Sequence, residues 1–314
     1  MIIGYPNSFA YINMEDFFSN FLKEINENIE IVISNETTKD IFEKGIQVSI
    51  DELCLPAKIF LGHVEHLIEQ GIDILLLPRL TSMNTKKYSC PKVIGMVDLV
   101  KNLFKNTKIL SPELNLYDSY NNKQRFLFDL ANDIKKYNIN IKKIINKYSN
   151  LPFKNIQKNS LCKNSILLIA HEYILFDEYL INDIKNVIID NNYFPVNVHE
   201  VYIPQFYNYN LLKPFFWHTA DEIINKYLYI LENNKLEGII YFMSFGCGID
   251  SILEDIIKRI SNKNKIPYLC ITLDEHTGYG GYITRVEAFL DMIEWRKKIN
   301  ENSVPTHGES IYNC

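Results

Sequence analysis

The feature that most narrows the possible folds is a repeated alternation of short apolar runs with longer amphipathic stretches. IDILLLP (72–78), SILLIAHEY (165–173), LEGIIYFMSF (236–245) and IPYLCITLDEH (266–276) each begin as a strand whose two faces are both apolar. IIG near the start, IEIVI (29–33), TKILSP (107–112) and YFPVNVHEV (193–201) are weaker strands of the same kind. Between them lie helical patterns. In KIFLGHVEHLIEQG, Ile59, Phe60, His63, Val64, Leu67 and Ile68 share one face and Gly71 ends it. Further helices are expected near 14–27, after Cys90-Pro91-Lys92, and over 219–233, 249–262 and 281–299, the last with Tyr282, Ile283, Val286, Phe289, Leu290 and Ile293 as its stripe. Strands alternating with helices form parallel sheets covered on both faces.

The alternation is interrupted once. Residues 113–160 are Lys- and Asn-rich, helix-compatible and without a strand signal. The expected organisation is therefore α/β: two Rossmann-like parallel-sheet domains, 1–112 and 161–300, with a helical connection over 113–160 and a tail over 301–314. At 314 residues and 47% hydrophobic, the chain can bury two such cores. Its net charge of −5 argues against a general nucleic-acid binder. No apolar run approaches the roughly 20 residues of a membrane span. The first residues lack a signal-peptide pattern, so the expectation is a soluble cytoplasmic protein with neither nucleic acid nor membrane as partner.

The six cysteines are scattered, with no C-x-x-C pair. That excludes zinc ribbons, thioredoxin-type pairs and ferredoxin-type runs, and a reducing compartment keeps them as thiols. Three share one kind of position. Cys54 in DELCLPAK stands just before a helix that Pro56 helps to start; Cys90 in YSCPK precedes Pro91; Cys247 in FMSFGCG follows a strand and opens a helix between two glycines. Such a set fits a [4Fe–4S] cluster with one open iron, or zinc with a histidine as fourth ligand. His63 and His66, one turn apart, read as packing and surface residues; Cys162, Cys270 and Cys314 read as structural or incidental.

Polar residues crowd two other strand ends, where open parallel sheets bind ligands. AHEY brings His171, Glu172 and Tyr173; LDEHTGYGGYITRVEAF brings Glu275, His276, Gly280 and Arg285. The glycine spacing is not G-x-G-x-x-G, so a dinucleotide fingerprint is not supported. The expected pocket has His171, Glu275 and His276 in proton transfer, and Tyr173, Arg285 and Gly280 as substrate contacts.

LCLPAKIFLGHVEHLIEQGIDILLLPRL (53–80), YSCPK with GMVDLVK, SFGCGIDSI and LDEHTGYGGYITRVEAFLDMI (273–293) together resemble the 2-hydroxyacyl-CoA dehydratase family, most of all its acyl-CoA dehydratase activase-related branch, which is related to double-cubane cluster reductases. The resemblance implies Rossmann-like halves with an iron–sulfur cluster at their junction, either [4Fe–4S] or double-cubane, on Cys54, Cys90 and Cys247. It further implies low-potential electrons delivered by a separate ATP-hydrolysing activase of the actin and sugar-kinase fold. A small substrate is then reduced or dehydrated at an open iron, in a homodimer or beside a related dehydratase subunit. The activase's own phosphate-binding motifs are not visible in this chain. The alternatives are a non-catalytic iron–sulfur carrier or scaffold for such partners, and a zinc or metal-free Rossmann-like binding protein.

Overall fold

The structure, a computed structural model, describes residues 1–134, 140–154, 164–201, 214–233, 235–276 and 279–302. The chain starts with β1 (Ile2–Tyr5), α1 (Glu15–Ile25), β2 (Glu30–Ile33), α2 (Lys39–Val48), α3 (Leu55–Glu69), β3 (Ile74–Leu76), β4 (Arg79–Ser82), α4 (Pro91–Leu103), β5 (Ile109–Leu110) and β6 (Glu113–Asn115). Here β1, β2, β3 and β5 form a parallel sheet in the order β2-β1-β3-β5. Then come α5 (Asn122–Ile134), α6 (Ile141–Ser149), β7 (Ser165–Ile169), α7 (Glu172–Leu175), α8 (Glu178–Asp190), β8 (Phe194–Asn197), α9 (His218–Asn233), β9 (Gly238–Ser244), α10 (Gly248–Lys263), β10 (Tyr268–Leu273) and α11 (Tyr279–Asn302). The second parallel sheet runs β10-β9-β7-β8.

Both sheets have their first strand in the middle, so the winding reverses between β1 and β3 and again between β7 and β9. These are the crevices where α/β sheets take ligands. Burial explains why these strands read as continuous apolar runs: every residue of β3 and β7 is buried, and the helices supply the covering layers. Two hydrophobic cores result, one per sheet.

Several elements depart from the expected organisation, β4 just after Pro78 among them. Glu113–Asn115, expected to be helical, is a strand that pairs in parallel with β4 in a small separate sheet. Its three residues offer only Leu114 to the core, too short a pattern to register as period two. Helix α2 was not anticipated. Its Thr38 cap accepts from the Ile41 N–H, and it crosses α3 with backbones touching: a Cβ on Gly62 would lie 1.9 Å from the Ile41 carbonyl oxygen, and one on Gly45 2.1 Å from that of Lys58. This crossing fixes the start of α3, where Cys54 sits. No helix among the described residues is long and apolar enough to cross a membrane.

Candidate functional site

Three helices begin at a cysteine. Cys54 is the N-cap of α3 and Cys90 of α4, each with proline in the first positions of its helix. Cys247 is the N-cap of α10, and its Sγ accepts from the Asp250 N–H at 3.5 Å. Gly246 ahead of it has φ +74°, a turn that favours glycine. Each sulfur thus stands at the positive end of a helix, where negative charge is favoured. All three cysteines line one cavity of about 220 Å³. Cys54 packs into the first core and Cys247 into the second, while Cys90 and Tyr173 touch both.

Burial pushes the Cys54 thiol up to about 11, against the pull of the Lys92 ammonium and the Ala57 N–H; Cys247 and Cys90 add to the rise. The three thiols are therefore near enough to sense one another. Lys92, at the start of α4, reaches the carbonyls of Glu52 at 3.1 Å and Gly246 at 3.2 Å. It pins together the loops that carry Cys54 and Cys247 and lines the cavity itself. Among the described residues, the groups whose ligand atoms all fall within 4.8 Å are His171–Cys247–Asp250 and Glu172–His199–Glu222, not the three thiols.

His171 caps α7 at the end of β7 and lies over Tyr173, ring centroids 5.0 Å apart. Its Nε2 is 3.3 Å from Asp250 Oδ1, but neither buried ring nitrogen makes an aligned hydrogen bond. Asp250 is fully buried and accepts from the Tyr241 hydroxyl at 2.7 Å and the Ser244 N–H at 3.1 Å. Burial works against a charge on His171, yet Asp250 and Cys247 outweigh it and raise the ring to about 10. Burial likewise opposes the Asp250 carboxylate, but His171 above all holds it below its ordinary value. Burial raises the Tyr173 hydroxyl well above its ordinary value and keeps it a neutral donor.

The second polar strand end lies elsewhere. Glu275 forms a buried pair with Lys58 of α3, at 2.6 and 2.7 Å through its two oxygens. His276 is 82% exposed beside it. Arg285 donates to the Cys270 carbonyl at 2.5 Å, and Gly280 is exposed in the first turn of α11. None of these four lines the cavity. His63 is buried between Ser34 and Thr37, each 3.0 Å away. Cys270 is half-buried in β10, while Cys162 and Cys314 lie outside the described residues.

Sequence reasoning missed several cavity residues: Lys92, Lys154, His199 and Glu222, and Asp250 behind His171. Asp250 had a signal, since an acid three residues after a helix cap has capping-box spacing. The others are gathered from separate elements and had none.

Residues 2–200 match the family described as the CoA enzyme activase uncharacterised domain. Residues 195–293 match the D-component of 2-hydroxyglutaryl-CoA dehydratase. The boundary falls at β8, so the second sheet draws strands from both matches, and the cavity takes Cys54 and Cys90 from the first and Cys247 from the second. Comparison with the curated proteins gives no match. The first match alone spans more than half of the 314 residues, and the chain therefore belongs to this activase-related family, as a component of the 2-hydroxyacyl-CoA dehydratase type.

Proposed function

We propose that the chain is a cytoplasmic iron–sulfur protein in which Cys54, Cys90 and Cys247 hold a cluster, [4Fe–4S] or double-cubane. In this reading it accepts low-potential electrons from an ATP-hydrolysing activase of the actin and sugar-kinase fold, and reduces or dehydrates a small substrate in the cavity. The observation that carries it is the arrival of three helix-capping thiols, from both cores, at one cavity.

The chemistry of the donors fits the group. Tetrahedral zinc at Zn–S of about 2.3 Å would need its sulfurs about 3.8 Å apart, closer than the three thiols lie as a set; a polynuclear cluster spreads its ligands further. His171 adds two buried ring nitrogens without an aligned partner beside Cys247. When bound, such a cluster supplies a low-potential electron store and an iron position open to a small ligand. Around it, the three helix N-termini and Lys92 offset the negative charge of the thiolates. The Asp250 carboxylate faces the His171 ring at 3.3 Å, and Tyr173 presents a neutral hydroxyl. A carrier needs no chamber at its cluster, so the cavity favours catalysis over the carrier reading.

For the Glu275 loop we propose positioning: its pair with Lys58 ties the end of β10 to α3, one turn from Cys54, with His276 and Arg285 outside the chamber. A homodimer or a related dehydratase subunit completes the proposed assembly. The test is anaerobic purification with iron, sulfide and zinc assayed per chain. Iron and sulfide lost in Cys247→Ser support the reading, and a colourless zinc or metal-free protein refutes it.

A further inference from the structure

The wall of the cavity formed by α7, α9 and the turn after β8 carries a second constellation. His199 is buried, and its Nε2 lies 2.8 Å from the Ala170 carbonyl oxygen. A carbonyl only accepts, so Nε2 carries hydrogen and Nδ1 is the nitrogen that gains or loses a proton. Around Nδ1 stand Glu172 Oε1 at 3.8 Å, Glu222 Oε1 at 4.0 Å and Lys226 Nζ at 3.5 Å. Lys226 also pairs with Glu222 at 2.5 Å, and Lys154 pairs with Glu172. His218, whose ring burial pushes below its ordinary value, and the Phe176 ring also stand nearby. His199, Glu172, Glu222 and Lys154 all line the cavity that the cysteines line.

We propose that Glu172, His199 and Glu222 form an acid–base site that supplies protons to a small molecule held between them and the cysteines. Two carboxylates and two ammonium groups thus share the space around this ring, with its Nε2 held by a carbonyl and its Nδ1 turned toward the charges. In the transfer the Nδ1–H bond breaks, the proton passes to an electron-rich atom of the bound molecule, and the ring stays as the neutral Nε2–H form. Water re-protonates Nδ1 along Glu222, whose side chain is 42% exposed. The ammonium groups already seated on both carboxylates disfavour the competing use of this trio as a divalent-cation site. The inference rests on the proposed function for what happens in the cavity, but the constellation is this chain's own.

The first experiment uses iron-free protein labelled with ¹⁵N-histidine. The His199 ring is expected as the Nε2–H tautomer, with its protonation midpoint lowered by about one pH unit or more in Glu222→Gln and raised in Lys226→Met. A midpoint that neither variant moves, in proteins with wild-type circular dichroism, overturns the proposal. So does calorimetric binding of Mn²⁺ or Zn²⁺ alone that His199→Gln abolishes. In iron-loaded protein, photoreduction in weakly buffered dye solution should show proton uptake that His199→Gln loses while iron and sulfide content stay unchanged. Uptake retained in that variant would also overturn it. Absence of any cluster would sink the proposed function yet leave the histidine titration intact, so the two failures are distinguishable.

Discussion

Removing one partner of the Lys58–Glu275 pair should cost far more than removing both. Lys58 is 3% exposed and Glu275 9%, and the ammonium touches both carboxylate oxygens. Lys58 also lies in the first turn of α3, where the helix dipole disfavours a cation. Glu275→Gln would leave that ammonium buried and unpaired, at a cost of about 3–5 kcal/mol. Lys58→Met leaves the carboxylate with His276 Nε2 at 3.4 Å and a helix N-terminus nearby, so its loss should be smaller. The double variant exchanges a buried ion pair for apolar and neutral groups and should recover most of the loss. Urea unfolding of metal-free protein followed by circular dichroism measures all three, with an unchanged slope as the sign that only stability moved. A Glu275→Gln loss below about 1 kcal/mol, or strict additivity in the double variant, would refute the buried-clamp reading. Activity lost in Glu275→Gln with stability intact would instead return Glu275 to a catalytic role.

Three further outcomes follow from the packing. Gly62→Ala would drive a methyl to 1.9 Å from the Ile41 carbonyl oxygen, so α2 and α3 must separate; a loss of more than about 2 kcal/mol in thermal or urea unfolding is expected. Burial above all raises Asp177 to about 6, so the folded state keeps a proton that the unfolded chain has lost, and stability falls as pH rises from about 4 to 6. Burial lowers His63 to about 4, which gives the opposite slope as pH rises from 4 to 6.5; Asp177→Asn should therefore expose a steeper acid destabilisation in pH-dependent unfolding. With its thiol at about 11, Cys54 in metal-free folded protein should alkylate at pH 8 roughly a hundredfold more slowly than in the urea-unfolded chain, read by mass spectrometry.

The sheets were legible because their strands are buried on both faces, so IDILLLP and SILLI carry the signal without help from neighbours. The helix-cap positions of the cysteines were legible for another reason: Cys54, Cys90 and Cys247 each stand before a helix start marked by proline or glycine. Other parts depend on chain segments far apart in sequence. The pair of Glu275 with Lys58, 217 residues away, has no local signature in the sequence. The wall of Glu172, His199, Glu222 and Lys154 is assembled from the residues just after α6, α7, the turn after β8, and α9, and no local pattern joins them. β6 was missed because three residues with one buried side chain do not define a period.

The three helix-capping thiols are proposed to hold one iron–sulfur group. Its most direct measurement is iron and acid-labile sulfide per chain after strictly anaerobic purification, compared among the wild type, Cys54→Ser, Cys90→Ser and Cys247→Ser. The wild type should carry about four irons and four sulfides with broad absorption near 400 nm, or roughly twice that load for a double-cubane group, diminished by each substitution. Wild-type protein without iron or sulfide, or loading that survives all three substitutions, would contradict it.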